Sequence, residues 1–458
     1  MVYYLAIDIG ASSGRHILGY LDQTDKLVLE EIYRFPNSPI TKDGNLIWDI
    51  DGLFEEILNG LKRAKEIGKT PSYIGIDTWA VDYVLLDSDD RRIGDAFCYR
   101  DSRCDRAVSE VHKRIGFDEL YKKTGIQFQL FNTVYQLFSD KKSDRLNFAQ
   151  SMLMLPDYFG FLLTKVKRQE YTNATSTGLI NCRTHTWDED IINSLGFSKK
   201  LFGTISNPGT EVGCFSKAIA EAVGFDAKVI LPATHDTASS VLATPIIDVS
   251  PYISSGTWSL LGIERTAANT YIESQTYNYS NEGSFDLKFR FQKNIMGLWM
   301  IQQVKKEFGD KYSFTELIAL AQSNPTSLRV NVNDGVFLSP ISMTESIHKA
   351  VKEKLTVGET AHCIFASLAE NYAQSIRQLE MLTGETYDTL HIMGGGCKNS
   401  FLNKLTKQCT GKRVFIGPIE STATGNIIMQ MIGCGNIKNI KEGRKIIRRS
   451  FDIQEVMV

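Results

Sequence analysis

An apolar strand carrying one carboxylate, Ala6-Ile7-Asp8-Ile9, runs into the turn Gly10-Ala11-Ser12-Ser13-Gly14 and leaves it through Arg15 toward Tyr20. The same order returns in the second half of the chain. Tyr252-Ile253-Ser254-Ser255 leads into Gly256-Thr257 and out through Trp258-Ser259-Leu260-Leu261-Gly262. Strand, glycine-and-hydroxyl turn, strand, met twice, points to an internal duplication with a boundary near residue 245. The expected division is 1–245 and 246–458, and the length of 458 residues is enough for two domains.

The first turn has a chemical reading and a plain one. An acid inside a buried strand is unfavourable unless a cation meets it or it reaches a polar cleft. Glycines at 10 and 14 permit positive φ and close approach to the backbone. Backbone N–H groups of such a turn can form an anion-binding concavity, to which the Ser12 and Ser13 hydroxyls and Arg15 add donors. On this reading the turn binds phosphate and Asp8 holds a metal through water. On the plain reading it is an ordinary hairpin turn.

Further elements follow from periodicity. Three consecutive strands open the chain, over 3–9, 15–21 and 26–35, and short polar turns between them predict an antiparallel meander. Leu53, Phe54, Ile57, Leu58, Leu61 and Ile67 have helical spacing, with Gly68 as the stop. Gly68-Lys69-Thr70 mimics the end of a Walker loop, but Arg63 stands where that loop needs glycine, and a helix precedes it instead of a strand. Residues 152–163 read as one apolar helix interrupted at Pro156-Asp157-Tyr158. Residues 171–178, rich in hydroxyls, read as a solvated loop. A buried strand over 228–231 leads to a small-residue helix opened by His235-Asp236-Thr237. A long amphipathic helix over 361–382 precedes the strand Thr389-Leu390-His391-Ile392-Met393 and then Gly394-Gly395-Gly396.

Composition narrows the function. Net charge is −2, with 43% hydrophobic and 23% charged residues, so no nucleic-acid partner is indicated. No apolar run is long enough to span a bilayer. Asp8 interrupts the apolar start, and no basic segment precedes it, which argues against a secretory signal. The eight cysteines form no Cys-x-x-Cys pair and no zinc-like set with histidine. Reduced thiols in a cytoplasmic protein are the expectation.

Three strand-following turns, at 10–14, 254–257 and 394–396, suit a nucleotide phosphotransferase. Two hairpin turns can grip a polyphosphate, and a strand–Gly-Gly-Gly–helix turn brings phosphate near a helix N-terminus. Phosphoryl transfer to an alcohol needs a group to accept the hydroxyl proton. Asp236, at a strand-to-helix junction, is the candidate, although aspartate there is also a good N-cap. His235 beside it is either a hydrogen-bond partner for a substrate oxygen or a structural side chain. Asp77-Thr78-Trp79-Ala80-Val81-Asp82 and Tyr99-Arg100-Asp101-Ser102-Arg103 are candidate sugar-binding pieces. For these, Trp79 in the core and a surface ion-pair cluster are the plain alternatives.

Together these segments resemble the actin-like sugar kinases of the FGGY carbohydrate kinase family. Thr172-Asn173-Ala174-Thr175 and Lys293-Asn294-Ile295-Met296-Gly297-Leu298-Trp299 add to the match, which spans nearly the whole chain in the family's order. The resemblance implies an α/β fold of two ribonuclease-H-like domains with a cleft between them. The first would carry most of the sugar site and the second most of the nucleotide site. It implies ATP-dependent phosphorylation of L-rhamnulose at O1 in L-rhamnose breakdown, with another ketose such as L-fuculose, or a non-catalytic actin-like ATPase, as alternatives. Carried over, Asp236 is the base. Ala11, Ser12, Ser13, Gly14, Arg15 and Thr257 meet the ATP phosphates, and Gln302, Gly394, Gly395 and Gly396 meet the nucleotide. Ala80, His235, Thr237 and Asn294 contact the sugar, with Trp79, Asp82 and Arg100 near it, and Asp8 holds Mg²⁺ through water. Ala80 stands where glycine is common in the family, which adds one methyl to the pocket wall. The implied partner is a small-molecule sugar, with no nucleic acid and no membrane, and with monomer or homodimer left open.

Overall fold

The computed structural model describes residues 1–246, 248–309 and 311–457. It divides into two compact units. The first comprises Met1–Pro245, Glu264–Phe291 and Thr422–Ser450, and the second Ile246–Ile263, Gln292–Ser421 and Phe451–Val458.

The first unit is built on a six-stranded sheet. Its first three strands are the expected meander: β1 (Tyr4–Ile9), β2 (Ser13–Leu21) and β3 (Leu27–Pro36), paired antiparallel. The sheet runs Glu211–Cys214, Lys228–Ile230, Tyr73–Thr78, β1, β2, β3. Tyr73–Thr78 lies parallel to β1, and the register sets Asp77 beside Asp8. All six side chains of β1 are buried, as expected of a strand covered on both faces. Helix α1 (Ile50–Glu66) packs Leu53, Ile57 and Leu61 into the same core as Leu5, Ile7 and Ile74. Asp49 caps its start by accepting from the Gly52 N–H at 3.0 Å, and Gly68 adopts φ +71° just past its end.

The second unit repeats the central motif. Tyr252–Ser255 and Trp258–Arg265 form an antiparallel hairpin, and Thr389–Met393 runs parallel to the first of them. From that hairpin its strands run in the order Trp258–Arg265, Tyr252–Ser255, Thr389–Met393, Arg413–Ile416, Gln454–Glu455. Antiparallel hairpin beside parallel strand is thus common to both sheets, which is the duplication read from the two turns.

Two expectations are corrected. The expected single helix over 152–163 is a strand, Ser151–Met154, followed by the helix Leu155–Thr164, and Pro156 sits in that helix's first turn. Proline is tolerated there because its missing N–H has no intrahelical acceptor. The expected loop over 171–178 is fully buried and begins with the helix Tyr171–Thr175. Its hydroxyls bond back to the chain, Thr175 Oγ1 to the Thr172 carbonyl at 2.8 Å and Thr177 Oγ1 to the Ala174 carbonyl at 2.6 Å. Composition could not reveal that these polar groups are satisfied internally.

The helix Ser421–Gly433 packs within the first unit by close backbone approach. A Cβ on Gly425 would lie 1.8 Å from the Ser239 carbonyl oxygen. Gly425→Ala is therefore expected to cost about 2 kcal/mol by overpacking. Thermal unfolding of the variant checks this, and a melting temperature equal to that of the parent would contradict it.

Candidate active site

The first half of the site lies at the ends of β1 and Tyr73–Thr78. The chain reverses after β1 through a turn in which the Gly10 N–H donates to the Ser13 carbonyl at 2.9 Å. Asn37 braces it from β3's side, donating through Nδ2 to the Gly10 carbonyl at 2.9 Å. Neither Gly10 nor Gly14 has positive φ, so glycine's conformational freedom is not what the turn uses. Gly14 is needed for another reason: a Cβ there would meet Phe35 Cζ at 2.0 Å. Ser12 is exposed, Ala11 and Ser13 are half-buried, and Arg15 reaches back from β2 to bind Asp8, Nη2 to Oδ2 at 2.6 Å.

Three carboxylates share this end of the sheet. Asp77 is fully buried. Asn426 Nδ2 donates to its Oδ2, while its Oδ1 is buried without a hydrogen-bond partner. Burial, then the charges of Asp8 and Asp236, push its pKa well above the usual carboxylate value. Burial also raises Asp236, with His235 opposing the shift and Asp8 adding to it. The side chains of Asp8, Asp77 and Asp236 differ in access: Asp8 is 9% and Asp236 30% exposed, and Asp77 is a 0% exposed residue. Of the three, Asp236 is the most exposed.

Asp236 is held there by long-range contacts. The Thr78 N–H donates to the Thr234 carbonyl at 3.0 Å, and Thr78 bridges to His235 in parallel. The buried Glu170 carboxylate caps Tyr171–Thr175 and also grips this corner. It accepts from the Thr172 and Asn173 N–H groups at 2.8 and 3.1 Å, and from Thr234 N and Oγ1 at 3.2 and 2.7 Å. Helix Asp236–Leu242 then starts with Asp236, while His235 takes the N-cap position. Asp236 Oδ1 accepts from the Thr237 N–H and from Thr237 Oγ1 at 3.1 Å.

The sugar-side residues from the sequence lie on the next turn of chain. Trp79 is core-packed at 7% exposure, in a tilted pair with Trp48 at 4.2 Å. Asp82 is buried, and its oxygens accept from Trp48 Nε1 at 2.7 Å, Trp79 Nε1 at 2.9 Å, the Tyr99 N–H at 3.1 Å and Gln136 Nε2 at 2.9 Å. Asp82 therefore sets the direction of both indoles, and burial pushes its carboxyl up to about 6 despite these donors. Ala80 is half-buried, and Val81 beside it has φ +68°, an unusual conformation for a β-branched residue. The Val81 carbonyl accepts from Thr133 Oγ1 at 2.7 Å. Arg100 lies over the Tyr99 ring at 5.2 Å, and Tyr99 packs on Phe131 at 5.3 Å. Arg103, its neighbour in the basic run, is no surface charge: it pairs with the buried Asp140 at 2.6 Å.

The second unit gathers the remaining residues. The Leu298 N–H donates to the Gly256 carbonyl at 3.0 Å and the Trp299 N–H to the Thr257 carbonyl at 3.1 Å. The 254–257 turn is thereby tied to helix Trp299–Glu307, which carries Gln302. A Cβ on Gly396 would meet Ser255 Oγ at 1.9 Å, and Gly394 adopts φ +85°; only Gly395 is exposed, with open space around it. One 3₁₀ turn, Gly395–Lys398, separates these glycines from helix Ser400–Thr410, whose first turn Asn399 caps through the Leu402 N–H at 3.0 Å. Asn294 Oδ1 is buried without a hydrogen-bond partner. Lys293 next to it is buried, donates to Gln378 Oε1 at 3.2 Å, and is brought down to about 8 by burial.

Sequence reasoning missed Glu170, Glu282 and Arg290, and took Asp77 only as part of a candidate sugar-binding piece. Asp77 also carried the signal of a second acid in a buried strand, whereas the three missed residues act on residues distant in the chain. Among the described residues, no group of three or more His, Cys, Asp or Glu side chains is set to hold a metal ion. No helix among them is long and apolar enough to cross a membrane.

Comparison with known proteins bears on the whole chain. Residues 3–243 match the N-terminal domain of the FGGY family of carbohydrate kinases, and residues 251–434 match its C-terminal domain. A rhamnulokinase from Halalkalibacterium halodurans is 46% identical, covering 99% of this chain and 98% of that protein. One from Bacillus subtilis is 42% identical, covering 98% and 94%. Among solved structures, a ligand-bound xylulose kinase from Lactobacillus acidophilus has a TM-score of 0.82 at 17% identity, covering 99% of this chain and 93% of that one. Plasmodium falciparum glycerol kinase with ADP has a TM-score of 0.77 at 16% identity, covering 99% and 94%.

Proposed function

The chain belongs to the FGGY family of carbohydrate kinases, and from that premise we propose that it transfers the γ-phosphoryl group of ATP to O1 of L-rhamnulose. The sugar is inferred from the near-full-length rhamnulokinase relatives. The assignment of roles is carried by one observation: of three carboxylates clustered at the ends of β1 and Tyr73–Thr78, Asp236 is the most exposed.

Asp236 accepts the proton of the 1-hydroxyl as its oxygen attacks phosphorus. The Thr237 contacts hold the carboxylate in place for this. His235, Thr237 and Ala80 line the sugar, with Asn294 contributing its unpartnered Oδ1. Ala11 to Arg15, Thr257, Gln302 and the 394–396 turn take the nucleotide. The 1–245 stretch thus supplies most of the sugar contacts, and the two stretches share the nucleotide contacts equally.

Mg²⁺ fits the residues present. Asp8 and Asp77 supply carboxylate oxygens, the ligands a hard cation prefers, and Mg²⁺ is ordinarily held by one or two carboxylates with waters and substrate phosphates. The unpartnered Asp77 Oδ1 is one such oxygen, and Arg15 is the cation already paired with Asp8. When bound, Mg²⁺ neutralises charge on the phosphates.

The pH dependence follows in sign. A base must be ionised, and burial raises the Asp236 pKa. kcat/KM is expected to fall on acidification, with its midpoint above the ordinary aspartate value of about 3.9. A rate profile flat down to that value would contradict the assignment. Phosphorus NMR of the product tests the site of transfer: coupling to the two C1 protons is expected, and coupling at another carbon would overturn O1.

A further inference from the structure

His235 is not a simple neighbour of Asp236. Its Nδ1 lies 3.1 Å from Arg290 Nη2 and 3.2 Å from Glu282 Oε2, and its Nε2 lies 3.5 Å from Asp236 Oδ1. Arg290 is wholly buried, and Glu282 nearly so. Arg290 Nη2 also binds Glu282 Oε2 at 3.1 Å, and Nε donates to the Gly283 carbonyl at 3.0 Å. The guanidinium is thus anchored by two contacts, through Nη2 and Nε, before it meets the imidazole.

The protonation of His235 follows from what its partners can do. Arginine has donors only and stays charged. A ring nitrogen hydrogen-bonded to it must offer a lone pair, and the proton of the neutral ring then sits on the other nitrogen. An imidazolium would instead point an N–H at the guanidinium. Glu282 has the opposite preference, since its carboxylate favours a proton on Nδ1. Its Oε2 already accepts from the same Nη2 that faces the ring, and a proton on Nδ1 would be set against that cationic N–H.

We infer that Glu282 and Arg290 are positioning residues that lock His235 in its Nε2–H tautomer, so that the ring offers a donor and not an acceptor on the side of Asp236. The donor serves a substrate oxygen adjacent to the reacting hydroxyl and leaves the Asp236 carboxylate free to take the proton. The use of that donor rests on the sugar-kinase reading above; the tautomer itself does not.

The test is nitrogen NMR of the full chain labelled with [¹⁵N]histidine, near neutral pH and without sugar. There are seven histidines, and the His235 signals are identified by their loss in His235→Gln. The wild type should show an unprotonated Nδ1 and a protonated Nε2. Arg290→Met leaves Glu282 as the partner of Nδ1 among the described residues, so the proton should move to Nδ1. kcat should then fall about 10²-fold, the usual loss for one preorganised donor. Arg290→Lys and Glu282→Gln each keep a donor near Nδ1, so both should retain the wild-type tautomer and recover activity relative to Arg290→Met. If Arg290→Met fails to fold, the tautomer in the wild type and in these two variants decides. A protonated Nδ1 in the wild type, or an unchanged tautomer in folded Arg290→Met, overturns the inference. Activity on a different sugar would overturn the substrate reading and leave the tautomer result standing.

Discussion

Asp236→Asn is expected to reduce kcat by about 10²- to 10⁴-fold, the range for loss of a general base, with ATP affinity nearly unchanged. The asparagine is isosteric, and its Oδ1 can still accept from the Thr237 N–H, so the contact that holds the side chain at the start of Asp236–Leu242 is kept. What is lost is the capacity to take a proton. Asp8 and Asp77 cannot substitute: the first is paired with Arg15 and the second is fully buried. Steady-state kinetics with a separate nucleotide-binding measurement distinguish loss of chemistry from loss of binding. Turnover within about tenfold of the parent would remove Asp236 from the role of base.

Glu170→Ala should produce the largest loss of stability. The carboxylate is wholly buried and accepts from two residues of its own helix and from Thr234 across the unit. Removing it strands the Thr172, Asn173 and Thr234 N–H groups, while the two threonine hydroxyls can rotate to other partners. At about 1 kcal/mol or more for each unsatisfied buried donor, the cost is about 3 kcal/mol or higher. Activity should fall with it, because the Thr234–His235 corner precedes the base directly. Thermal unfolding and kcat on the same sample check both effects. A variant that melts with the parent and turns over normally would show that the corner is held by other means.

What was legible in the sequence follows a physical division. The hairpin over β1 and β2, its echo at 252–262 and the 394–396 turn are local patterns, and local patterns survive in one sequence. So did the placement of Asp236 at a strand-to-helix junction. The reason for a residue was less legible than its presence. Gly14 reads as a flexible turn glycine, yet the Phe35 ring dictates it. Residues 171–178 read as a solvated loop because their hydroxyls are polar, yet each finds an acceptor inside the protein. The supports of the site are long-range: Glu170 acts on Thr234, Arg290 on His235, and Asn426 on Asp77 from 349 residues away. No periodicity or spacing rule carries such pairs.

Reaction and sugar are tested together by kcat/KM with Mg-ATP on L-rhamnulose, L-fuculose, L-ribulose, D-xylulose and glycerol, measured by coupled release of ADP. A clear preference for L-rhamnulose is the predicted result. Preference for another acceptor would keep the family and its chemistry and contradict the sugar, turning attention to Ala80 and the wall around it. Absence of ADP release with every sugar would contradict the catalytic reading itself.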